Sequence, residues 1–217
     1  FQSNLKVHNY DTNKLSSFLV NDFDWSSGNI FNYNLKSKIL ANIKNINYET
    51  KNIDEYKDTA TSELFGAFGF ISEFNLQKYQ NNSRHLLTPK ILLRYAPGSM
   101  RNEESGSRLD PTRAFSLNRL DDINNFETGL SGTVGFDYKI KGEFNNYDFS
   151  LAQIINSDEN KKMHSKTSLD EKLSDVVASS NFKLNNKLNL NYNFSIDQNY
   201  SELNYSDVGA TLDLNPL

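Results

Sequence analysis

Hydrophobic and polar side chains alternate along most of this chain with a period of two. From Phe31 to Ile43 the odd positions read Phe31, Tyr33, Leu35, Ser37, Ile39, Ala41 and Ile43, and the even positions are mostly Asn and Lys. A strand sends successive side chains to opposite faces, so the pattern predicts one apolar and one wet face; a helix would scatter the same residues around its circumference. The apolar parity switches at each turn. Leu15, Leu19, Phe23 and Trp25 form an earlier face that ends in Ser26-Ser27-Gly28-Asn29, a turn signal. Leu64, Phe68, Phe70, Phe74 and Leu76 follow on even positions, with Gly66 among them. After a polar turn at 80–84 comes a strand from Leu86 to Tyr95, with Ile91, Leu93 and Tyr95 facing away from Lys90 and Arg94.

The second half repeats the pattern. Phe126, Thr128, Leu130, Val134, Phe136, Tyr138 and Ile140 share a face, and a connection at Lys141-Gly142 leads to Tyr147, Phe149, Leu151 and Ile155. Val176, Ala178, Phe182 and Leu184 run into Asn185-Asn186, a link that tolerates positive φ and closes a hairpin. Leu188, Leu190, Tyr192, Phe194 and Ile196 make the next face, and a last strand is expected from Tyr205 to Leu214. About ten strands result, several longer than the usual five or six residues. Turns near 26–29, 80–84, 141–146 and 185–186 are short, whereas connections near 47–58, 96–124, 156–175 and 199–204 are mostly long and charged. Strict alternation of short and long connections predicts an all-β antiparallel up-and-down meander with tight turns at one rim and long loops at the other. Outer-membrane barrels have that asymmetry. The wet face, rich in Asn, Ser, Lys and Asp, suits a water-filled lumen, and the Phe and Tyr toward strand ends suit interfacial girdles. A soluble all-β sandwich would alternate in the same way and is the competing architecture.

Composition narrows the field. The 217 residues are 37% hydrophobic and 12% aromatic, carry 23 basic against 27 acidic side chains, and contain no Cys. No run approaches the roughly 18 to 20 apolar residues of a membrane helix. The mean hydropathy of −0.65 is compatible with a barrel, whose strands spend every second residue on water. A net charge of −4 argues against nucleic acid, which is bound through basic surfaces. The chain opens on Phe1 and closes on Asn215-Pro216-Leu217, without a starting Met or signal peptide, and is expected to be a segment of a longer protein.

No chemistry-bearing constellation stands out. His8, His85 and His164 are far apart, and His164 with Ser165 and Asp170 lacks a Gly-x-Ser-x-Gly elbow, so no enzymatic reaction is expected. Carboxylate pairs at Asp54-Glu55, Glu103-Glu104, Asp121-Asp122 and Asp158-Glu159 lack the spacing of a cation-binding loop, and no metal or cofactor is expected. Lys161, Lys162, Lys166 and Lys172 are balanced by Asp158, Glu159, Asp170 and Glu171 in the same loop.

A more specific signal lies in two segments. The run from Leu87 through Pro89, Arg94, Tyr95 and Pro97 resembles the L-x-P-x-x-x-x-x-Y-x-P strand of the LptD family, the lipopolysaccharide-assembly or organic solvent tolerance (OstA) proteins. The stretch Phe115 to Gly129 is similar to that family's F-S-x-N-R-x-x-G-x-D-R-x-x-x-G, and Tyr147 to Ile155 resembles its strand ending in G-Q-x-Y. Asp122 stands where the family often has Gly, and Asn124-Asn125 replaces the usual Asp-Arg. The similar segments cover residues 60 to 215, and the whole chain, 1–217, is expected to belong to the family's transmembrane barrel. The periplasmic jelly-roll domain and the remaining strands lie outside it.

The resemblance implies lipopolysaccharide transport and insertion into the outer leaflet of a Gram-negative outer membrane. It implies as partners lipopolysaccharide, outer-membrane lipid, an LptE-like lipoprotein plug and, through the jelly-roll, a periplasmic Lpt bridge. The expected position is among the middle to later strands, away from the lateral seam. A generic porin or receptor barrel, and a soluble adhesion or binding domain, are the alternatives. Within the family-like segments the residues singled out are Pro89, Tyr95, Pro97, Arg119, Asp121 and Asp122. The long connection is expected to fold into or over the lumen, pinned by Arg119 pairing with Asp121 or Asp122.

Overall fold

The computed structural model describes residues 1–10, 13–31, 34–80, 82–103, 106–185 and 187–213. Tyr33, Glu104, Asn186, Leu214 and Asn215-Pro216-Leu217, which enter the expectations above, lie outside the described residues.

The strands are β1 (Gln2–Tyr10), β2 (Lys14–Ser26), β3 (Leu35–Lys51), β4 (Thr61–Phe74), β5 (Leu76–Gln80), β6 (Ser83–Ala96), β7 (Gly129–Lys141), β8 (Asn145–Asn156), β9 (Val176–Leu184), β10 (Leu188–Ile196) and β11 (Leu203–Leu212). All join one antiparallel sheet in chain order, except that β4 and β5 lie end to end along β6. Ten strand positions result, arranged as an up-and-down meander. The sheet is open, since β1 and β11 are each paired on one side only among the described residues.

The β4–β5 break has a cause in β6. Pro89 carries no amide N–H, and the partner strand is interrupted beside it, between Glu73 opposite Lys90 and Leu76 opposite Leu87. Asn75 at the break is held elsewhere: its N–H donates to the Asn34 carbonyl at 2.8 Å, and Thr88 Oγ1 donates to its Oδ1 at 3.0 Å.

The register lines the apolar positions of neighbouring strands into one continuous face. Trp25 lies opposite Ala41, Ala41 opposite Phe68, Phe68 opposite Tyr95, and Tyr95 opposite Leu130. Farther on, Phe136 meets Leu151 and Tyr192 meets Val208. This face is exposed: Phe23, Trp25, Ile39, Ile43, Phe68, Leu93, Tyr95, Leu130 and Val134 all present large apolar side chains outward. The opposite face, which carries Asn42, Lys44, Arg94, Ser131 and Thr133, is the buried one. The molecule is thus inverted relative to a water-soluble sheet, which buries its apolar side.

The connections after β3, β6, β8 and β10 share one rim, the long-loop rim, with the link after β1; those after β2, β5, β7 and β9 share the other, the short-turn rim. The expected alternation in length is not strict, since the link after β1 spans three positions and that after β2 eight, against six after β10. Several element bounds differ from expectation, among them β6, which starts at Ser83, and β11, which starts at Leu203. Strand β1 has only Leu5 and Val7 on its apolar side, too short an alternation to stand out. Strand β3 starts at Leu35 and runs on to Lys51 through the expected loop at 47–58. Its apolar parity switches after Ile43 without a turn, because Ile46 and Tyr48 point inward to a cluster with Phe18 and Val20 while Asn45 and Asn47 point outward. Phe126 and Thr128 precede β7, and Phe126 folds inward instead of joining the outer face.

Candidate functional site: a connection packed over the polar face

The 97–128 connection leaves β6 at Pro97-Gly98, where Gly98 has φ +105°, a conformation that favours glycine. It then lies across the inward face of the sheet. Leu117, Phe126, Ala67 and Ala96 form one small core, and the Phe65 and Phe126 rings stack at 5.8 Å. Met100, Leu109 and Ala114 form another core with Met163 and Leu169 of the 157–175 connection and with Ala152, Ile154 and Val177 of the sheet. Gly69 leaves the space that Leu117 fills: a Cβ there would stand 2.6 Å from Leu117 Cδ2. The strap reaches β11, where the Arg108 guanidinium sits 4.8 Å from the Tyr205 ring centroid.

Charges pin this apolar seam at its centre. Arg94 of β6 and Arg119 of the connection are each 1% exposed, and both face Glu127, 3% exposed. Arg119 Nε donates to Glu127 Oε2 at 2.7 Å, its second terminal nitrogen donates to Oε1, and the same nitrogen reaches Ser131 Oγ at 3.0 Å. Arg94 Nη1 lies 3.6 Å from Glu127 Oε1, and its other nitrogens donate to the carbonyls of Leu117 and Glu127. Burial alone would push the Glu127 carboxyl up, but Arg119 and Arg94, with the hydrogen bonds from Arg119, outweigh it and hold the group below the usual carboxylate range. The arrangement locks the connection to β6 and β7 through one shared carboxylate.

A second anchor lies nearer the long-loop rim. Phe18, Tyr48 and Tyr56 pack with ring centroids 4.9 to 5.8 Å apart, and the Arg101 guanidinium covers Tyr56 at 4.9 Å and Tyr48 at 5.5 Å. Arg101 also pairs with Glu63 and donates to the Asn124 carbonyl. Burial first, then the nearby Asp122, pushes the Tyr56 hydroxyl up to about 12. Asn125 closes the two ends of the connection: its Nδ2 donates to Glu103 Oε2 at 2.9 Å and to the Arg101 carbonyl at 3.2 Å, and its Oδ1 accepts from Phe126 N at 2.9 Å.

The six residues singled out from sequence do not converge on one site. Arg119 is central, but its carboxylate is Glu127, which corrects the expected pairing with Asp121 or Asp122. Asp121 instead takes Arg113 Nη1 at 2.6 Å near the surface, and Asp122 accepts from Asn124 N at 2.9 Å in a turn. The physical reason is depth: Arg119 points into the seam, while its near neighbours in sequence turn back to solvent. Pro89 and Tyr95 lie on the outward face of β6, and Pro97 is exposed where the connection begins. Glu127, Arg101 and Asn125 escaped notice because they are separated from their partners in sequence. Among the described residues no group of three or more His, Cys, Asp or Glu could hold a metal ion.

Toward the short-turn rim the same inward face stays wet. Lys36, Lys38, Arg84, Lys141 and Lys183 are exposed there, and Lys90 pairs with Asp137 at 2.5 Å and Lys139 with Asp148 at 3.9 Å.

A protein-family model described as LptD, LPS transport system D, matches residues 41–215. No curated protein matches the chain in sequence.

Proposed function

The chain belongs to the LptD family, and from that membership we propose that it forms part of the barrel wall through which lipopolysaccharide is inserted into the outer leaflet of the Gram-negative outer membrane. The family is one of lipopolysaccharide transport and outer-membrane assembly, not of enzymes. No helix among the described residues is long and apolar enough to cross a membrane.

The observation that carries the reading is the inverted sheet: an apolar face turned outward across ten strand positions, and a polar face turned inward. A face of exposed Phe, Leu, Ile and Val is costly in water and suited to lipid, where each strand's backbone groups are satisfied by its neighbours. Thirteen to seventeen residues in β2, β3, β4, β6 and β7 exceed the roughly 9 to 11 that a tilted strand needs to cross the hydrocarbon. The polar lower lumen can hydrate a saccharide, and the same reading makes a lipoprotein plug of the LptE type its partner. The wall is completed by strands that pair with the open edges of β1 and β11.

Depleting the full-length protein in its host and measuring surface lipopolysaccharide tests this. Delivery should fall as the protein disappears; undiminished delivery, with size-limited solute flux through the purified protein in liposomes, would make it a general diffusion barrel instead.

A further inference from the structure

Along β3 the outward face changes character within one unbroken strand. Up to Ile43 it carries Leu35, Ile39 and Ile43; beyond, it carries Asn45, Asn47, Glu49 and Lys51, while Ile46 and Tyr48 are buried on the inward side. No bulge causes this, because the pairing of β3 with β2 and with β4 runs through the change without a shift in register. The neighbouring strands take part. Asn21 of β2 lies opposite Asn45, and Ser62 of β4 lies opposite Asn47. Asn45 Nδ2 donates to Ser62 Oγ at 3.1 Å, and Ser3 Oγ donates to Asn21 Oδ1 at 2.8 Å. Leu19 and Leu64 stand exposed among them. Amides, a carboxylate and an ammonium mixed with single leucines suit a hydrated surface, since acyl chains offer such groups neither hydrogen bonds nor charge solvation.

The apolar belt that remains is even in width. It covers nine residues on β3 (35–43), nine on β6 (87–95), eleven on β7 (130–140) and nine on β8 (147–155), against the roughly 9 to 11 that a tilted strand spends in the hydrocarbon. Its two edges are oblique and parallel. At the top, Leu130 pairs with Tyr95, Ile155 lies two residues lower, opposite Gly132, and Ile43 lies two residues above Ala41, which connects to Tyr95 through Phe68. At the bottom, Leu87 lies two residues below the level of Leu35, and Ile140, opposite Tyr147, lies two lower again. Each edge therefore drops four residues over the four strand-to-strand steps from β3 to β8, about 13 Å in about 19 Å. That slope, about 35°, is the tilt of strands in a membrane barrel. We propose that these edges bound the surface in contact with acyl chains, and that β3 beyond Ile43 rises roughly 20 Å above them as a blade whose outward face is hydrated. The proposal rests on the barrel-wall reading, and its test tells the failure of one from the failure of the other.

The test is electron paramagnetic resonance of single nitroxide labels on the full-length protein in phosphatidylcholine bilayers. Molecular oxygen, which concentrates among acyl chains, and a neutral nickel chelate, which stays in water, serve as collision partners. Labels replace Ile39, Ile43, Asn47 and Glu49 on β3, and Leu93 and Tyr95 on β6, with heat-shifted gel mobility showing that each labelled protein folds. Oxygen collisions should dominate at Ile39, Ile43, Leu93 and Tyr95, and the ratio should invert at Asn47 and Glu49. Ser17→Cys on β2 and Ser62→Cys on β4 repeat the measurement should either β3 label disturb folding, and nickel should dominate at both. Oxygen dominance continuing through Asn47 and Glu49 would overturn the proposed edge and leave the barrel wall standing. Nickel dominance at every position, Ile39 and Leu93 included, would overturn the edge and the wall together.

Discussion

Strand β6 shows, four residues apart, how differently the two halves of one sheet face behave. Arg94 and Lys90 share the inward parity; Arg94 lies under the 97–128 connection and is 1% exposed, whereas the Lys90 side chain, at the connection's lower edge with its Nζ 5.4 Å from the Phe115 ring centroid, is 19% exposed. In the upper half the polar face has become a dry interior, where Phe126, Ile46, Leu92 and Ile154 are buried as fully as the Arg94, Glu127 and Arg119 triad. In the lower half Lys36, Lys38, Arg84 and Lys183 remain in solvent. Alternation determines which side a residue takes. It does not determine what covers that side, because the cover comes from a connection more than thirty positions long whose packing is not periodic.

The sharpest way to break this contrast is to remove the shared carboxylate. Glu127→Ala should cost about 3–5 kcal/mol in urea unfolding of the refolded full-length protein, since it strands two buried guanidinium groups. In the wet half, Asp148→Ala should cost only about 0–1 kcal/mol, because Lys139 and Asp148 are each more than 40% exposed. Equal losses would mean that the upper seam is as hydrated as the lower one. Phe126→Ala should follow at about 3 kcal/mol through the cavity left against Phe65, read as a lowered unfolding midpoint and faster proteolysis in the 97–128 connection. Arg113→Ala, at the surface pair with Asp121, should shift the midpoint by about 1 kcal/mol at most.

Acidity gives the smallest effect, with opposite signs at the two buried carboxylates. Glu127 is held below its ordinary 4.5, so its contribution is present above that value and lost as pH falls through its lowered one. Glu103 is pushed above 4.5, first by burial and against the Asn125 hydrogen bond. Its contribution is complete below 4.5 and lost as pH rises through the raised value. The midpoint of the wild type relative to Glu103→Gln should therefore fall as pH rises from 4.5 toward neutrality. A flat difference would place Glu103 in open water.

How much of this was legible in the sequence follows from the same physics. Ile39, Phe68, Leu93 and Leu130 disclosed the meander and its outward face, because strand periodicity is local and repeated. Asn185, at φ 49°, marked a hairpin turn through backbone chemistry readable at one position, whereas the ladder break beside Pro89 showed only in the paired sheet. Where periodicity changed meaning, legibility failed: Ile46 and Tyr48 switch faces within β3, so an inward core resembled the end of a strand. The triad was half legible. Arg119 stood out by its family-like context, but Glu127 lies eight positions away with carboxylates closer at hand, and only the folded connection shows which one shares Arg119's depth.

A barrel wall requires that the alternating apolar face meet lipid and its partner face meet the lumen. The chain contains no Cys, so single cysteines can report on it directly. Ile39→Cys, Phe70→Cys and Val134→Cys on the outward face, and Lys36→Cys, Lys38→Cys and Lys139→Cys on the inward face, are to be labelled with a bimane fluorophore in full-length protein reconstituted with brominated lipid. Quenching by the lipid at the first three and by aqueous iodide at the last three is the predicted result; iodide quenching at all six, with none from lipid, would contradict it and place the sheet in water.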